Sequence, residues 1–227
     1  MRTVIQLGLG YSTEFLGLTS ENWVEYSEKC IEQLKHHKKE SKEGWIYSTP
    51  HEWAKVPKSF AEDKTPFIYY GIDASPESIS VLADKHQDNK RANFICVGVG
   101  HLHEKIGYYL TENNIDYGDK RYQLNSSRVN FLIVPFSVIL KLIDPPSFDV
   151  LAIDIDGHEM GLIYDMRNWH ILPEFISIEA WGDINNKNDF SQWHEKLKRY
   201  GYELVDMIKH RGGEEWNLHE CQYIKNN

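Results

Sequence analysis

Cysteine is scarce in this chain. Cys30, Cys96 and Cys221 are the only three in 227 residues, with no CxxC or zinc-like spacing. That pattern excludes a disulfide framework and a thiolate zinc site, and it fits reduced thiols in a cytoplasmic setting. No apolar run approaches the length needed to cross a bilayer. The opening "MRTVIQLGLGYSTEF" has no long apolar stretch, so no signal peptide is expected. Basic charge is in deficit, with 25 Lys and Arg against 34 Asp and Glu and a net charge of −9. A large nucleic-acid footprint needs a basic face, so nucleic acid is not an expected partner. Internal repeats and low-complexity linkers are absent. So is the third glycine of a G-x-G-x-x-G fingerprint, because Thr13 stands where it would be. With no obvious Tyr-x-x-x-Lys pair either, a nicotinamide or nucleotide-sugar enzyme is disfavoured.

What is present is an ordinary globular composition, 41% hydrophobic and 13% aromatic, long enough for one large domain over 1–227. "TVIQLGLG" reads as a buried strand running into a glycine turn. A helix follows from Ser20 as N-cap, with Trp23, Cys30, Ile31 and Leu34 on its apolar face and lysines at its basic end. His36 and His37 in that end read as solvated. The next stretch, about 44–66, has no clean period and carries Pro50, Pro57 and Pro66. It reads as an irregular insertion, and its length fits either a lid or binding segment or a plain surface insertion.

Beyond it the alternation is regular. "FIYYGID" reads as a strand, "SPESISVLADKHQ" as a helix with Ser75 at N-cap and Pro76 at N1, and "NFICVGVG" as a strand. "KIGYYLTE" and "SRVNFLIVP" read as a hairpin, "FSVILKLI" as a helix and "FDVLAID" as a strand. "HEMGLIYDMRNW" is a predicted helix, "EFISIEAW" a strand, "NDFSQWHEKLKRYG" a helix ending at Gly201, and "YELVDMI" and "ECQYIK" two closing strands. The predicted fold is α/β: a doubly wound, mostly parallel sheet with an antiparallel edge at the C-terminus.

Ligands of such sheets bind beyond the carboxyl ends of the strands. Gly8 and Gly10 permit a tight turn and close backbone approach there. Asp73 ends a buried strand, where a carboxylate can accept hydrogen bonds from both hydroxyls of a ribose. The alternative is a turn or helix-cap aspartate. Gly98 and Gly100 could let an adenine lie against the backbone, and His101 with His103 reads as a pair of exposed loop histidines. In "IDIDGHE", Asp156 and Glu159 have capping-box spacing. Asp154 does not fit that account: it should be the last residue of the buried strand, where its charge needs a cleft, a ligand or a partner. Glu179 repeats the pattern on the next strand.

Taken together, "LGLGYS", "DASPES", "CVGVG", "AIDIDGHE" and "ISIEAW" resemble the motifs of the FkbM-like family of S-adenosylmethionine-dependent methyltransferases, in the same order. The match of spacing runs from about residue 68 to the end. The chain departs from the family pattern at Gln6, where an acid is usual, at Ala152 in place of a lysine and at Asp156 in place of a glutamate. The resemblance implies a Rossmann-like methyltransferase sheet and S-adenosyl-L-methionine as cofactor. It implies cofactor contacts from Gly8, Gly10, Tyr11, Asp73, Ala74, Ser75, Val97, Gly98 and Asp154, and no metal. Asp154, His158 and Glu179 are the candidate catalytic groups, since a carboxylate or neutral imidazole can take the proton of an oxygen nucleophile. The acceptor implied is a small polar molecule such as a carbohydrate. The alternative is a non-catalytic relative that binds a nucleotide-type ligand or a protein partner.

Overall fold

Arg2–Leu7 (β1) is buried at every position, the mark of a strand covered on both faces. In this computed structural model, which describes residues 1–10, 12–100, 106–111, 127–155, 159–183, 188–209 and 216–226, β1 lies inside a seven-stranded sheet. The chain continues through Trp23–His36 (α1), an antiparallel hairpin of Trp45–Tyr47 (β2) and Lys55–Pro57 (β3), Phe67–Asp73 (β4), Pro76–Lys85 (α2), Ala92–Cys96 (β5) and Gly98–Gly100 (β6). Ile106–Thr111 (β7) and Ser127–Pro135 (β8) pair antiparallel, and Phe136–Ile143 (α3) follows. Val150–Ile153 (β9), Glu159–Asp165 (α4), Phe175–Asp183 (β10), Asn188–Arg199 (α5), Tyr202–Lys209 (β11) and Trp216–Lys225 (β12) complete the order.

The large sheet runs β11-β12-β10-β9-β1-β4-β5. From β10 to β5 every pairing is parallel, and β12 is antiparallel to both β10 and β11. This is the doubly wound sheet that the alternation of strands and helices predicts. Strand residues alternate between two cores. Ile5, Leu7, Leu151, Ile153, Ile176 and Ile178 pack with Phe136, Ile139, Leu162 and Leu197, from α3, α4 and α5. Val4, Tyr69, Val150, Ala152 and Phe175 pack with Trp23, Ile46, Val56 and Leu82, from α1, the β2–β3 hairpin and α2.

Four local expectations change. Ser20 does not cap α1: it closes a 3-10 turn, Leu16–Thr19, its N–H donating to Gly17 O at 3.2 Å, and the helix starts after Asn22. "NFICVGVG" is two strands, because after Val97 N–H donates to Asp73 O (2.9 Å) the chain leaves the large sheet and Gly98–Gly100 pairs with β8. β9 ends at Ile153, so Asp154 is the first residue beyond the strand, and it is exposed. The stretch 44–66 is built from short elements, β2, β3 and a 3-10 turn at Lys58–Glu62, and Tyr47, Ala54, Lys55 and Val56 are buried. Elements of three residues are too short to leave a readable period.

Lys55 shows how tightly that layer is held. Its side chain is 1% exposed, and its ammonium lies 2.6 Å from Asp206 Oδ2 on β11 and 4.8 Å from the centre of the Trp45 ring. Lys42 reaches the other oxygen of Asp206 at 2.5 Å. His101, His103 and the capping role of Asp156 lie outside the described residues. Among the described residues no helix is long and apolar enough to cross a membrane.

Candidate active site at the strand ends

From β1 the chain builds outward through β4 to β5, then returns to the other side of β1 with β9. The strand order therefore reverses between β1 and β9, and ligands of such sheets bind beyond the carboxyl ends at that point. The two ends are in contact there. Asp154 N–H donates to Leu7 O at 2.9 Å, and Gly8 N–H donates to Ile72 O at 2.9 Å. Gly8 has φ +74°, and a Cβ on it would stand 1.5 Å from Asp154 O, so only glycine lets the strand ends close. Gly10, at φ +50°, is different. Among the described residues nothing lies within 4 Å of where its Cβ would be, so the space above the turn is open to a ligand.

Asp73 ends β4 beside this turn and holds it. Its Oδ2 accepts the N–H groups of Leu9 (2.7 Å) and Gly10 (3.0 Å), and its Oδ1 accepts the N–H of Ser75 at 2.6 Å. Ser75 Oγ accepts from Ser78 N–H at 3.2 Å, the expected cap of α2. Asp73 is thus a turn aspartate in the geometry seen here. A carboxylate has about four lone-pair sites, so one remains after these three bonds. Ala74 and Val97 adjoin Asp73, and Gly98 is buried at the start of β6. The structure brings Gly8, Gly10, Asp73, Ser75, Val97 and Asp154 to one edge of the sheet. Tyr11 and His158 lie outside the described residues.

A second feature runs along the same edge. Register aligns Gln6, Ala152, Ser177 and Gln222 in a row across β1, β9, β10 and β12. Two residues from that row, in the direction of the β1 and β9 carboxyl ends, Glu179 and Glu220 stand on the same face, and Gly8 and Asp154 follow just past the ends of β1 and β9. Glu179 is directly opposite Glu220. Exposure falls along the three acids: Asp154 exposed, Glu179 half-buried, Glu220 buried. Ser177 Oγ donates to Glu220 Oε1 at 2.6 Å. Burial pushes the Glu220 carboxyl well above its ordinary range against that hydrogen bond, and Glu179, Asp154 and Glu14 add to the rise.

Glu14 enters from the loop after the glycine turn. Gln6 Nε2 and Ser12 Oγ both donate to its carboxylate. Gln6 Oε1 in turn accepts from the Tyr69 hydroxyl at 3.0 Å and Phe15 N–H at 3.4 Å. The glutamine that replaces an expected acid is therefore a buried clamp on another acid. The 44–66 layer closes over this face. Ser48 Oγ donates to Glu14 O at 2.5 Å, and Gln222 Nε2 donates to Trp53 O at 2.7 Å. The His51 ring stacks on Trp53 with centroids 4.9 Å apart. Burial lowers the His51 imidazole's pKa, with Glu14 acting in the opposite sense, so the ring favours its neutral form.

Glu14, His51 and Glu220 were not singled out by sequence reasoning. Only Glu220 had a usable signal: it alternates with Gln222 on one face of a closing strand otherwise rich in buried residues. A separate hollow of about 590 Å³ lies at the β5 edge, lined by Tyr70, His86, Asn93, Phe94, Leu142 and Ile143. Its lining includes none of the acids and no residue of the glycine turn, so its size alone does not make it the reactive centre.

Residues 37–204 match the family model described as Methyltransferase FkbM domain. That span contains Asp73, Ala74, Ser75, Val97, Gly98, Asp154, His158 and Glu179, and it leaves out Gly8, Gly10 and Tyr11. No curated protein sequence matches the chain. Among solved structures, the chain is similar to Aeropyrum pernix fibrillarin, in complex with natively bound S-adenosyl-L-methionine, at 10% identity and a TM-score of 0.40, over 70% of this chain and 56% of that one. M. jannaschii TYW2, in complex with AdoMet, is 9% identical with a TM-score of 0.40, over 99% of this chain and 70% of that one. M. capricolum TrmK, in complex with S-adenosyl-homocysteine, is 8% identical with a TM-score of 0.42, over 99% of this chain and 62% of that one. The chain spans a little over half the length of the fibrillarin chain.

Proposed function

Since the chain belongs to the FkbM methyltransferase domain family, we propose that it transfers a methyl group from S-adenosyl-L-methionine to an oxygen of a small polar acceptor such as a sugar. The observation that carries this reading is the strand reversal between β1 and β9, where the Gly8 turn, Asp73 and Asp154 meet. The residues fit the cofactor: open space above Gly10 suits close backbone approach, and Asp73 keeps one lone-pair site for a ribose hydroxyl. Gly8, Gly10 and Tyr11 would lie along its methionine part. Ala74, Ser75, Val97 and Gly98 would flank its nucleoside.

S-Adenosyl-L-methionine supplies a methyl group on a sulfonium, ready for in-line displacement. What the chain must add is mainly positioning and a place for the acceptor's proton. Asp154, exposed just past the end of β9, is the first candidate for that proton, with His158 and Glu179 as the others. The acidic surroundings suit a cationic sulfonium. The net charge of −9 favours a small acceptor over nucleic acid, and the free thiols of Cys30, Cys96 and Cys221 favour the cytoplasm.

The test pairs calorimetric titration of S-adenosyl-L-methionine with an assay of S-adenosylhomocysteine release over a panel of sugars. Asp154→Asn keeps size and deletes charge. It is expected to cut turnover by about a hundredfold, the scale of general-base loss, with little change in melting temperature. Full activity in Asp154→Asn would remove that residue from the proton path.

A further inference from the structure

We infer that Glu14 binds the α-ammonium group of S-adenosyl-L-methionine, with Gln6 and Ser12 as the residues that position its carboxylate. The inference rests on the proposed methyl transfer and deepens it, by naming the side chain that reads the amino-acid end of the cofactor.

The chain path puts Glu14 beside the glycine turn. β1 ends at Leu7, and Gly8 and Gly10 carry the backbone over it at positive φ. Ser12 N–H then donates to Leu9 O at 2.7 Å, so the chain folds back at once. Two residues later the Glu14 carboxylate is held through both oxygens. Ser12 Oγ donates to Oε1, and Gln6 Nε2 donates to Oε2 from inside β1. Gln6 is 3% exposed and is itself fixed, since its Oε1 accepts from the Tyr69 hydroxyl and from Phe15 N–H. Ser48 Oγ donates to the Glu14 backbone carbonyl at 2.5 Å. Side chain and backbone of Glu14 are therefore both tied down next to the turn where the cofactor's methionine part is proposed to lie.

The charge on Glu14 is not matched by this scaffold. Both donors to its carboxylate are neutral, and the residue is half-buried. Among the described residues no lysine or arginine is paired with it: Arg2 goes to Asp149, Lys42 and Lys55 to Asp206, and Arg91 to Glu21. His51 feels its charge, yet burial moves that imidazole towards its neutral form. A carboxylate has about four lone-pair sites, so two remain after the bonds from Gln6 and Ser12. A fixed, partly desolvated carboxylate bonds most strongly to a donor that is itself charged. S-Adenosyl-L-methionine carries two cations, and only the α-ammonium has N–H donors. Glutamine at position 6 makes the arrangement possible, because an ionised acid there could not donate to Glu14 and would repel it.

The experiment uses the full-length chain and two ligands, S-adenosylhomocysteine and its analogue without the amino group. Calorimetry measures the Kd of each. The parent is expected to bind S-adenosylhomocysteine about tenfold to a hundredfold more tightly than the analogue, the range for a charge-assisted hydrogen bond. Glu14→Gln keeps the shape and removes the charge. It should weaken S-adenosylhomocysteine by a similar factor and leave the analogue's affinity unchanged, which also shows that the variant is folded. Ser12→Ala, at an exposed position, removes one of the two donors. It should narrow the preference less, again without affecting the analogue, and it decides the matter if Glu14→Gln does not fold.

The assignment is overturned if the preference for the amino group persists in the folded variants, or if both ligands weaken equally. Either result leaves the cofactor site standing and places the ammonium elsewhere. If neither ligand binds the parent, the assignment and the methyl-transfer reading fall together.

Discussion

The backbone carbonyl of Asp154 fills the space that a side chain on Gly8 would need, 1.5 Å from the position of its Cβ. This contact locks the end of β1 to the end of β9. Gly8→Ala must therefore push the two strand ends apart as well as strain a backbone at φ +74°. It is expected to lower the melting temperature strongly and abolish cofactor binding. Gly10→Ala meets no described neighbour, so its stability cost should be only about 1–2 kcal/mol, the penalty for a left-handed residue. Its cofactor affinity should still fall, because the methyl group enters the open space above the turn. Melts and calorimetry on both variants check the contrast.

Asp73 carries two duties that can be separated. It accepts three backbone N–H groups, and it is the proposed ribose ligand. Asp73→Ala leaves three amides without their acceptor and is expected to cost at least about 1–3 kcal/mol. Asp73→Asn keeps one acceptor oxygen and should fold better. Both should weaken S-adenosyl-L-methionine binding by about tenfold or more, the scale of a lost hydrogen bond to a charged group. A folded Asp73→Asn protein with undiminished affinity would leave Asp73 as a turn residue alone.

The layer over the acids is pinned by a buried ion pair. Burial lowers the Lys55 ammonium's pKa; burial alone would raise the Asp206 carboxyl, and its bonds to Lys42 and Lys55 together bring it below its ordinary value. Both values move down with opposite meaning: desolvation outweighs attraction for the more deeply buried lysine and disfavours its charge, whereas the bonds outweigh burial for Asp206 and favour its charge. Asp206→Ala, which strands that lysine, is expected to cost about 3–5 kcal/mol, whereas Lys55→Met with Asp206→Leu should recover most of the loss. Lys42 is 45% exposed, and Lys42→Ala should cost under about 1 kcal/mol. Denaturant unfolding of the three proteins tests this order.

Stability should also depend on pH through Glu220. Its carboxyl holds a proton more tightly when folded than at its ordinary value of 4.5, mainly because it is buried. The folded state then binds more protons than the unfolded state above that pH. The stabilising contribution is full at lower pH and is lost as pH rises through the raised value. Glu220→Gln removes this titration, so its melting temperature should fall less between acid and neutral pH than that of the parent. Parallel slopes in thermal melts of the two proteins would contradict the assignment.

Much of the fold could be read from the sequence because its strands and helices are long enough to show their period. "FDVLAID" and "EFISIEAW" read as buried runs ending in acids, which is why Asp154 and Glu179 stood out, although β10 runs on past Glu179 to Asp183. Glu220 did not, because β12 runs antiparallel to its neighbours and places its acid inside the strand instead of at its end. Glu14 was hidden for another reason: a loop residue's role depends on where the chain folds back, here onto Gln6. The 44–66 layer was read as irregular since strands of three residues carry no periodic signal. Asp73 was read as a ribose ligand, whereas its contacts with Leu9 and Gly10 depend on the neighbouring strand and leave no trace in local sequence.

The central claim is that the cofactor lies at the β1–β9 reversal. The most direct measurement is a crystal structure of the protein soaked with S-adenosylhomocysteine. The expected result is density for the ligand above Gly10, with its ribose at Asp73 and its sulfur facing Asp154 and the acids beyond. Density confined to the hollow at the β5 edge, or none in a crystal whose strand ends are open to solvent, would contradict the account.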